Sequence, residues 1–125
     1  MADAASLSSA LGALYDSVVD PRRWPDALAE MSRFVGGSSA LLFHQDVALG
    51  HGDFFHSHNA DPNWTRLYFE KYIPLNPVLP LAGYMEVGAC AALSAMLDMD
   101  EYRASQFYVE WAAPQRFLDV VVTVL

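Results

Sequence analysis

The sequence predicts an α+β layered domain. Three observations carry that expectation: two amphipathic helical segments open the chain, two short alternating segments flank a glycine-bearing loop, and a valine-rich apolar run lies near Leu125 beyond further helical pieces. Strands joined by a hairpin pair antiparallel, and helices placed before and between strands pack as a layer against the sheet.

The first helix is predicted over Ser6 to Val19, where Leu7, Leu11, Leu14 and Val18 recur at helical spacing as one apolar stripe. Asp20-Pro21 ends it, because a residue before proline avoids the α region. The second helix is predicted over Trp24 to Val35, with Pro25 in the first turn, a stripe of Trp24, Leu28, Met31 and Val35, and Gly36-Gly37 as its stop. A strand over Ser39 to Gln45 should place Leu41 and Phe43 on one face and Leu42 and His44 on the other. Val47 to Gly52 reads as a hairpin loop and Asp53 to His58 as the return strand, with Phe54, His56 and His58 on one face and Phe55 on the other.

Asp61 is placed to cap a third helix whose first position is Pro62. Trp64, Leu67, Tyr68, Lys71 and Tyr72 then share a face, and Pro74, Pro77 and Pro80 break the next stretch into a turn and a short helical piece. A short strand is expected at 89–93 and another helix from Asp98 or Asp100 through Trp111, closed by Pro114. Phe117 to Leu125 reads as a strand apolar enough to be central in its sheet. A central strand needs neighbours on both sides, so a further strand or another copy of the chain is expected to complete the sheet at its C-terminal end. No internal repeat is evident.

Composition bounds the function. A chain of 125 residues fits one domain spanning 1–125. Its 54% hydrophobic and 13% aromatic content supplies a core, with a surplus of rings that either fills that core or lines a cavity. Seven Lys and Arg against 15 Asp and Glu leave a net charge of -8. Nucleic-acid binding draws on positive charge that displaces counterions from phosphate, so this segment by itself is not expected to read DNA. A single cysteine, Cys90, excludes an intramolecular disulfide and a Cys-rich zinc site, and its apolar neighbours Gly88 to Ala92 predict a buried thiol. No basic start followed by an apolar stretch is present, and no apolar run approaches the ~20 residues of a membrane span. A cytoplasmic protein with no membrane partner is the expectation.

Two segments carry a family resemblance. One is Trp64-Thr65-Arg66-Leu67-Tyr68-Phe69-Glu70-Lys71-Tyr72-Ile73-Pro74-Leu75-Asn76-Pro77-Val78, which resembles the helix and following turn of LuxR-type sensor domains. The other is Ser105-Gln106-Phe107-Tyr108-Val109-Glu110-Trp111-Ala112-Ala113-Pro114, similar to a Ser-x-Phe-Tyr-x-Glu-Trp-x-x-Pro stretch of LuxR-type helix-turn-helix regulators. Leu14-Tyr15-Asp16, Asp20-Pro21 and Trp24-Pro25 extend the resemblance over nearly the whole chain. It implies a PAS-like or GAF-like antiparallel sheet flanked by helices, with a cavity between sheet and helices. It also implies homodimerisation, often through N-terminal helices, and a DNA-binding helix-turn-helix module elsewhere in the full protein. One departure stands out. Acyl-homoserine-lactone receptors carry an Asp before the matched proline, where it accepts the ligand amide N–H; this chain has Asn76, which can accept without the carboxylate's charge.

The aromatic set is the leading site candidate. Trp64, Tyr68 and Tyr72 lie at helical spacing, Asn76 comes after them, and Tyr108 and Trp111 belong to a second helix. Tyr and Trp combine an apolar body with one hydrogen-bonding tip, which suits a small organic ligand; the same rings equally suit a filled core. His44, His51, His56 and His58 offer imidazoles for haem or a metal, yet no thiolate or carboxylate stands at tight ligand spacing, and neither a metal nor a cofactor is assigned. No nucleophile elbow, phosphate-cradling glycine loop or His-Glu-x-x-His is present, so no catalytic residue is assigned. Asp98, Asp100 and Glu101 read as helix N-terminal charges. The expected function is small-molecule sensing passed through a homodimer to a DNA-binding module. The alternatives are a ligand-free dimerisation module using the first helix, or haem or metal sensing through His44, His56 and His58.

Overall fold

Asp3 starts the first helix, α1 (Ala4–Val19), two residues ahead of the predicted start: its carboxylate accepts the Ser6 N–H at 2.7 Å. That bond satisfies one of the free donors of the first turn and holds the Asp3 carboxyl below its ordinary range. The computed structural model to which this helix belongs describes residues 3–46 and 51–125. At the other end Asp20 turns extended, and its carboxylate accepts from the Arg22 N–H and Nε at 3.1 and 2.9 Å. A single 3₁₀ turn, Pro21–Arg23, then leads into α2 (Trp24–Val35), whose bounds match the prediction. Gly36 ends α2 at φ 74°, with the Gly37 N–H on Ser32 O and the Gly36 N–H on Arg33 O. This is the paired closing bond of a left-handed helix end, where glycine avoids the Cβ clash.

The chain divides into two compact units, Met1–Gln45 with Gly52–Thr65 and Asp46–His51 with Arg66–Leu125. In the first, α1 packs on α2, and the buried positions are nearly all small: Ala10 and Ser17 of α1, and Ala27, Leu28 and Ser32 of α2. Small side chains let two helix axes approach closely. The predicted stripes are only partly buried. Leu7, Leu11 and Val18 are exposed and Leu14 is half-buried; on α2, Leu28 is buried but Met31 and Val35 are exposed. The partner helix covers the Ala10–Ser17 face of α1, so the apolar stripe of α1 turns outward.

β1 (Ala40–Asp46) and β2 (His51–His58) pair as a two-stranded ribbon. Residues 47–50 of the predicted hairpin loop, and the facing of Phe54 and Phe55, lie outside the described residues. Asn59 takes the left-handed conformation at φ 53°, and its side-chain amide donates to Ser38 O at 2.8 Å, joining the segment that enters β1 to the one that leaves β2. The ring of His56 stacks on Trp24 at 5.9 Å between centroids.

Helix α3 (Pro62–Leu67) comes next, its first turn held by the Asp61 carboxylate on the Asn63 N–H at 2.8 Å. The second unit contains a π-helical turn (Tyr68–Tyr72), a 3₁₀ turn (Ile73–Leu75), α4 (Leu79–Ala82), β3 (Cys90–Ala92), α5 (Leu93–Met96) and α6 (Met99–Ala104). A second π-helical turn (Tyr108–Ala112), a second 3₁₀ turn (Ala113–Gln115) and β4 (Val121–Thr123) complete it. Asp98 caps α6 through the N–H groups of Asp100 and Glu101, as the acidic cluster predicts. β3 and β4 pair antiparallel in the register Cys90–Thr123, Ala91–Val122 and Ala92–Val121. The Asp119 carboxylate reaches across this ribbon to the Ser94 N–H and hydroxyl, supplying the N-terminal contact that α5 lacks locally.

The architecture is therefore α+β with two small antiparallel ribbons. Three expectations are corrected. The helix predicted from Asp98 through Trp111 breaks at Ser105, which is extended at φ -70°, ψ 151°, while its hydroxyl accepts from the Tyr108 N–H and restarts the helix. The strand predicted over Phe117 to Leu125 shortens to Val121–Thr123, paired with β3, and Leu118 and Leu125 are each 81% exposed. Cys90 is exposed rather than buried, ahead of the half-buried Ala91 and Ala92. Among the described residues, no helix is long and apolar enough to cross a membrane.

Candidate functional site

The core of the second unit is built from rings. Tyr68, Tyr72, Tyr102 and Phe107 are all buried, with Ile73, Val78, Leu79 and Leu93 around them. Two irregular helical segments deliver those rings, and proline explains both irregularities. A proline ring clashes with the carbonyl four residues back and lacks the N–H that would bond to it. Pro74 sets this conflict at Glu70, and Pro114 at Glu110. Each helix widens by one residue ahead of its proline: the Ile73 N–H bonds to Tyr68 O and the Ala113 N–H to Tyr108 O, five residues back. A 3₁₀ turn then succeeds it in both cases. The pattern Tyr-x-Glu-x-x-x-Pro occurs at Tyr68 to Pro74 and again at Tyr108 to Pro114. Sequence reasoning missed this short repeat, though its spacing was the available signal. Single π turns of this kind are rare and recur at functional sites.

The two widened turns meet. The Tyr68 ring lies 5.1 Å from Trp111 and 6.4 Å from Phe107; Tyr72 lies 6.5 Å from Phe107, and Phe107 5.1 Å from Trp111. Tyr102 and Tyr108, 5.3 Å apart, extend the chain of rings at one end, and Phe117, 5.7 Å from Trp111, extends it at the other. Tilted and edge-on geometries dominate, which suits the ring quadrupoles.

The polar tips of Tyr68 and Tyr72 are paired. The Tyr68 hydroxyl accepts from the Asn76 side-chain amide at 3.0 Å, while the Asn76 carbonyl oxygen accepts the Val78 N–H at 3.0 Å. The Tyr72 hydroxyl donates to the Glu110 carboxylate at 3.1 Å, and Lys71 Nζ reaches the same oxygen at 3.3 Å. Burial pushes the Glu110 carboxyl up, but bonds from Lys71, Tyr72 and Gln106 outweigh it and hold the group below its ordinary value. The same carboxylate raises Lys71. Burial raises the Tyr102 phenol, so it stays a neutral ring.

Of the predicted contacts, Tyr68, Tyr72, Asn76, Tyr108 and Trp111 therefore belong to one connected cluster in the second unit. Trp64, half-buried on α3, falls in the first unit. Sequence reasoning missed Phe107, which touches four of the rings from its centre, and Glu110, which ties the two turns together.

The first unit holds a different kind of feature. Two adjoining grooves of about 550 and 470 Å³ run between α1 and α2, sharing Ser9, Glu30 and Arg33. Glu30 is bonded to Arg33 and to Ser9, and the Arg33 contact holds its carboxyl below the ordinary range. None of the six predicted contact residues lines either groove. As for the histidines, His44 is exposed, His56 and His58 are half-buried, and His56 is engaged by Trp24. Among the described residues, no group of three or more His, Cys, Asp or Glu side chains could hold a metal ion.

Comparison with known proteins finds no matching family model, no matching curated protein and no matching solved structure.

Proposed function

We propose that this chain is the small-molecule-sensing regulatory part of a LuxR-type helix-turn-helix regulator, acting in the cytoplasm as a homodimer with a PAS-like or GAF-like fold. The observation that carries the reading is the convergence of Tyr68, Tyr72 and Trp111 from two distant widened turns, within the two segments that resemble that family. The acidic charge supports a division of labour in which a separate module reads DNA.

The ligand is a small, partly apolar organic molecule. It would enter between the two turns, with Tyr68, Tyr72, Asn76, Tyr108 and Trp111 as contacts. Because the Tyr68 hydroxyl and the Asn76 amide already bond to each other, binding exchanges that bond for bonds to the ligand. Such a molecule acts by preferring one of two arrangements of the dimer. A thermal-shift panel of acyl-homoserine lactones and amphipathic aromatic metabolites tests this. At least one compound should raise the melting temperature, and Trp111→Ala should abolish the rise while the variant still melts cooperatively. A broad panel with no shift, and no small molecule in a mass-spectrometric survey of the purified protein, sinks the reading.

A second reading, a ligand-free dimerisation module, is favoured by one observation. Leu7, Leu11 and Val18 stand exposed along α1 in the 4-3-4 spacing that Leu14 completes, the spacing of a helix-pairing seam. Sedimentation of the chain with Leu11→Ser and Val18→Ser would show a monomer under this reading. Haem or metal sensing through His44, His56 and His58 has no comparable observation behind it.

A further inference from the structure

The two widened turns share a sequence pattern, a hydrogen-bond pattern and a contact surface. Each holds one extra residue per turn, and each is followed by a proline that a regular α-helix would bring against the carbonyl four residues back. Returning either turn to α geometry shifts everything on one side of it by one residue, a rotation of about 100°.

Such a rotation cannot stay local. The first turn carries Tyr68 and Tyr72, and the second carries Glu110 and Trp111. Rotating the first would carry the Tyr72 hydroxyl away from the Glu110 carboxylate and the Tyr68 ring away from Trp111. Rotating the second would break the same two contacts from the opposite side. Phe107, immediately ahead of the second turn, lies against both tyrosines of the first. The close packing leaves few intermediate positions for these rings, so discrete arrangements are favoured over gradual bending.

We propose that the paired π turns are one coupled conformational switch, in which Tyr68–Tyr72 and Tyr108–Ala112 change register together, with the Tyr72–Glu110 bond as the link between them. The output lies on the C-terminal side of the second turn. Arg116, held in the left-handed conformation, leads to Asp119, which fixes the N-terminus of α5, and then to β4. A register change at Tyr108–Ala112 would thus be read at the β3–β4 ribbon. The coupling stands on this geometry, and the sensing reading enters only in naming a ligand as what drives it.

Amide hydrogen exchange on the whole chain tests the coupling without any ligand, so its outcome is separable from that of the thermal-shift panel. Tyr72→Phe removes the linking hydroxyl and keeps the ring. Exchange of both the Ile73 and the Ala113 N–H should accelerate at least tenfold, while the Tyr102 N–H, bonded to Asp98 O at the start of α6, keeps its protection and reports an intact unit. Pro114→Ala removes the clash behind the second turn, and the Ile73 N–H, 41 residues away, should change its exchange rate with it. If Tyr72→Phe fails to fold, Pro114→Ala still decides. A response confined to the substituted turn, or none at either amide, overturns the proposal.

Discussion

The two units of this chain bury opposite kinds of side chain. In the first, the helix pair α1–α2 encloses alanines, serines and Leu28 and leaves most of its other leucines and valines exposed. In the second, tyrosines and phenylalanine fill the interior, and the hydroxyls of Tyr68 and Tyr72 are bonded. A helix pair that keeps its small residues inside and most of its large apolar ones outside has apolar area left to bury, whereas the second unit packs most of its rings against one another, Tyr84 excepted. Association is accordingly expected to depend on the first unit and intrinsic stability on the second.

The largest effect that would test this difference is a truncation in each. Phe107 is 4% exposed and sits among Tyr68, Tyr72, Tyr102 and Trp111. Phe107→Ala should cost about 3–5 kcal/mol in urea unfolding, through lost contacts and the cavity left behind. Leu11→Ala, at 44% exposure, should change the unfolding of a dilute monomer by less than about 0.5 kcal/mol and act instead on self-association. Equal losses from the two would erase the distinction.

Helix ends offer a finer comparison, because α2 and the second 3₁₀ turn close with the same hydrogen-bond pair. Gly37 N–H bonds to Ser32 O and Gly36 N–H to Arg33 O; likewise Phe117 N–H bonds to Ala112 O and Arg116 N–H to Ala113 O. The left-handed residue is glycine in the first unit and Arg116, at φ 63°, in the second. A side chain there costs roughly 1–2 kcal/mol. Arg116→Gly should therefore raise stability by about 1 kcal/mol, less some unfolded-state entropy, and Gly36→Ala should lower it by a similar amount. A destabilised Arg116→Gly would mean that the arginine makes a contact worth more than its strain.

Two buried serines of the helix pair differ in the same instructive way. Ser17 donates to Leu14 O at 2.6 Å, whereas the Ser32 hydroxyl is buried with no hydrogen-bond partner among the described residues. An unpaired buried hydroxyl is costly, so Ser32→Ala should be neutral or stabilising by up to about 1 kcal/mol, while Ser17→Ala should lose stability. Thermal melts of the two variants should move in opposite directions or, at the least, by clearly different amounts.

Local grammar was legible and tertiary choice was not. Asp61-Pro62, Asp98, Trp24-Pro25 and Gly36-Gly37 mark helix ends because each acts on backbone within a few residues of itself, and α2 has its predicted bounds. The outward turn of Leu7, Leu11 and Val18 could not be read from spacing, because periodicity identifies an apolar face without saying what covers it. The shortening of the last strand has the same origin: a run of valines reports β-propensity, while strand length is set by how far the neighbour extends, and β3 pairs through three residues. For the candidate site, the convergence of Tyr68, Tyr72 and Trp111 comes from motifs that were noticed. The widened turns that aim them arise from Pro74 and Pro114, which sequence reasoning treated only as helix stops. Glu110 escaped notice because its partners lie 38 and 39 residues away.

Acid sharpens the contrast between the units with the smallest expected effect. Asp3, Asp20 and Glu30 in the first unit, and Glu110 and Asp119 in the second, are all held below their ordinary values of 3.8 for Asp and 4.5 for Glu. The unfolded chain then binds more protons than the folded one near these values, so stability is fully present above them and declines as pH falls through the lowered folded values. In the first unit the main partners are close in sequence, Ser6, Arg22 and Arg33, and protonation loosens helix ends. In the second the partners are distant: Glu110 holds Lys71 and Tyr72, and Asp119 holds Ser94. Losing those bonds separates segments that only folding brings together. Urea midpoints taken from pH 6 down to pH 3 should therefore fall more shallowly in Glu110→Gln than in the parent chain, while Asp3→Asn leaves the slope of the second unit's transition unchanged. A parent-like acid slope in Glu110→Gln would mean that the carboxylate bridging the two widened turns contributes nothing to holding them together.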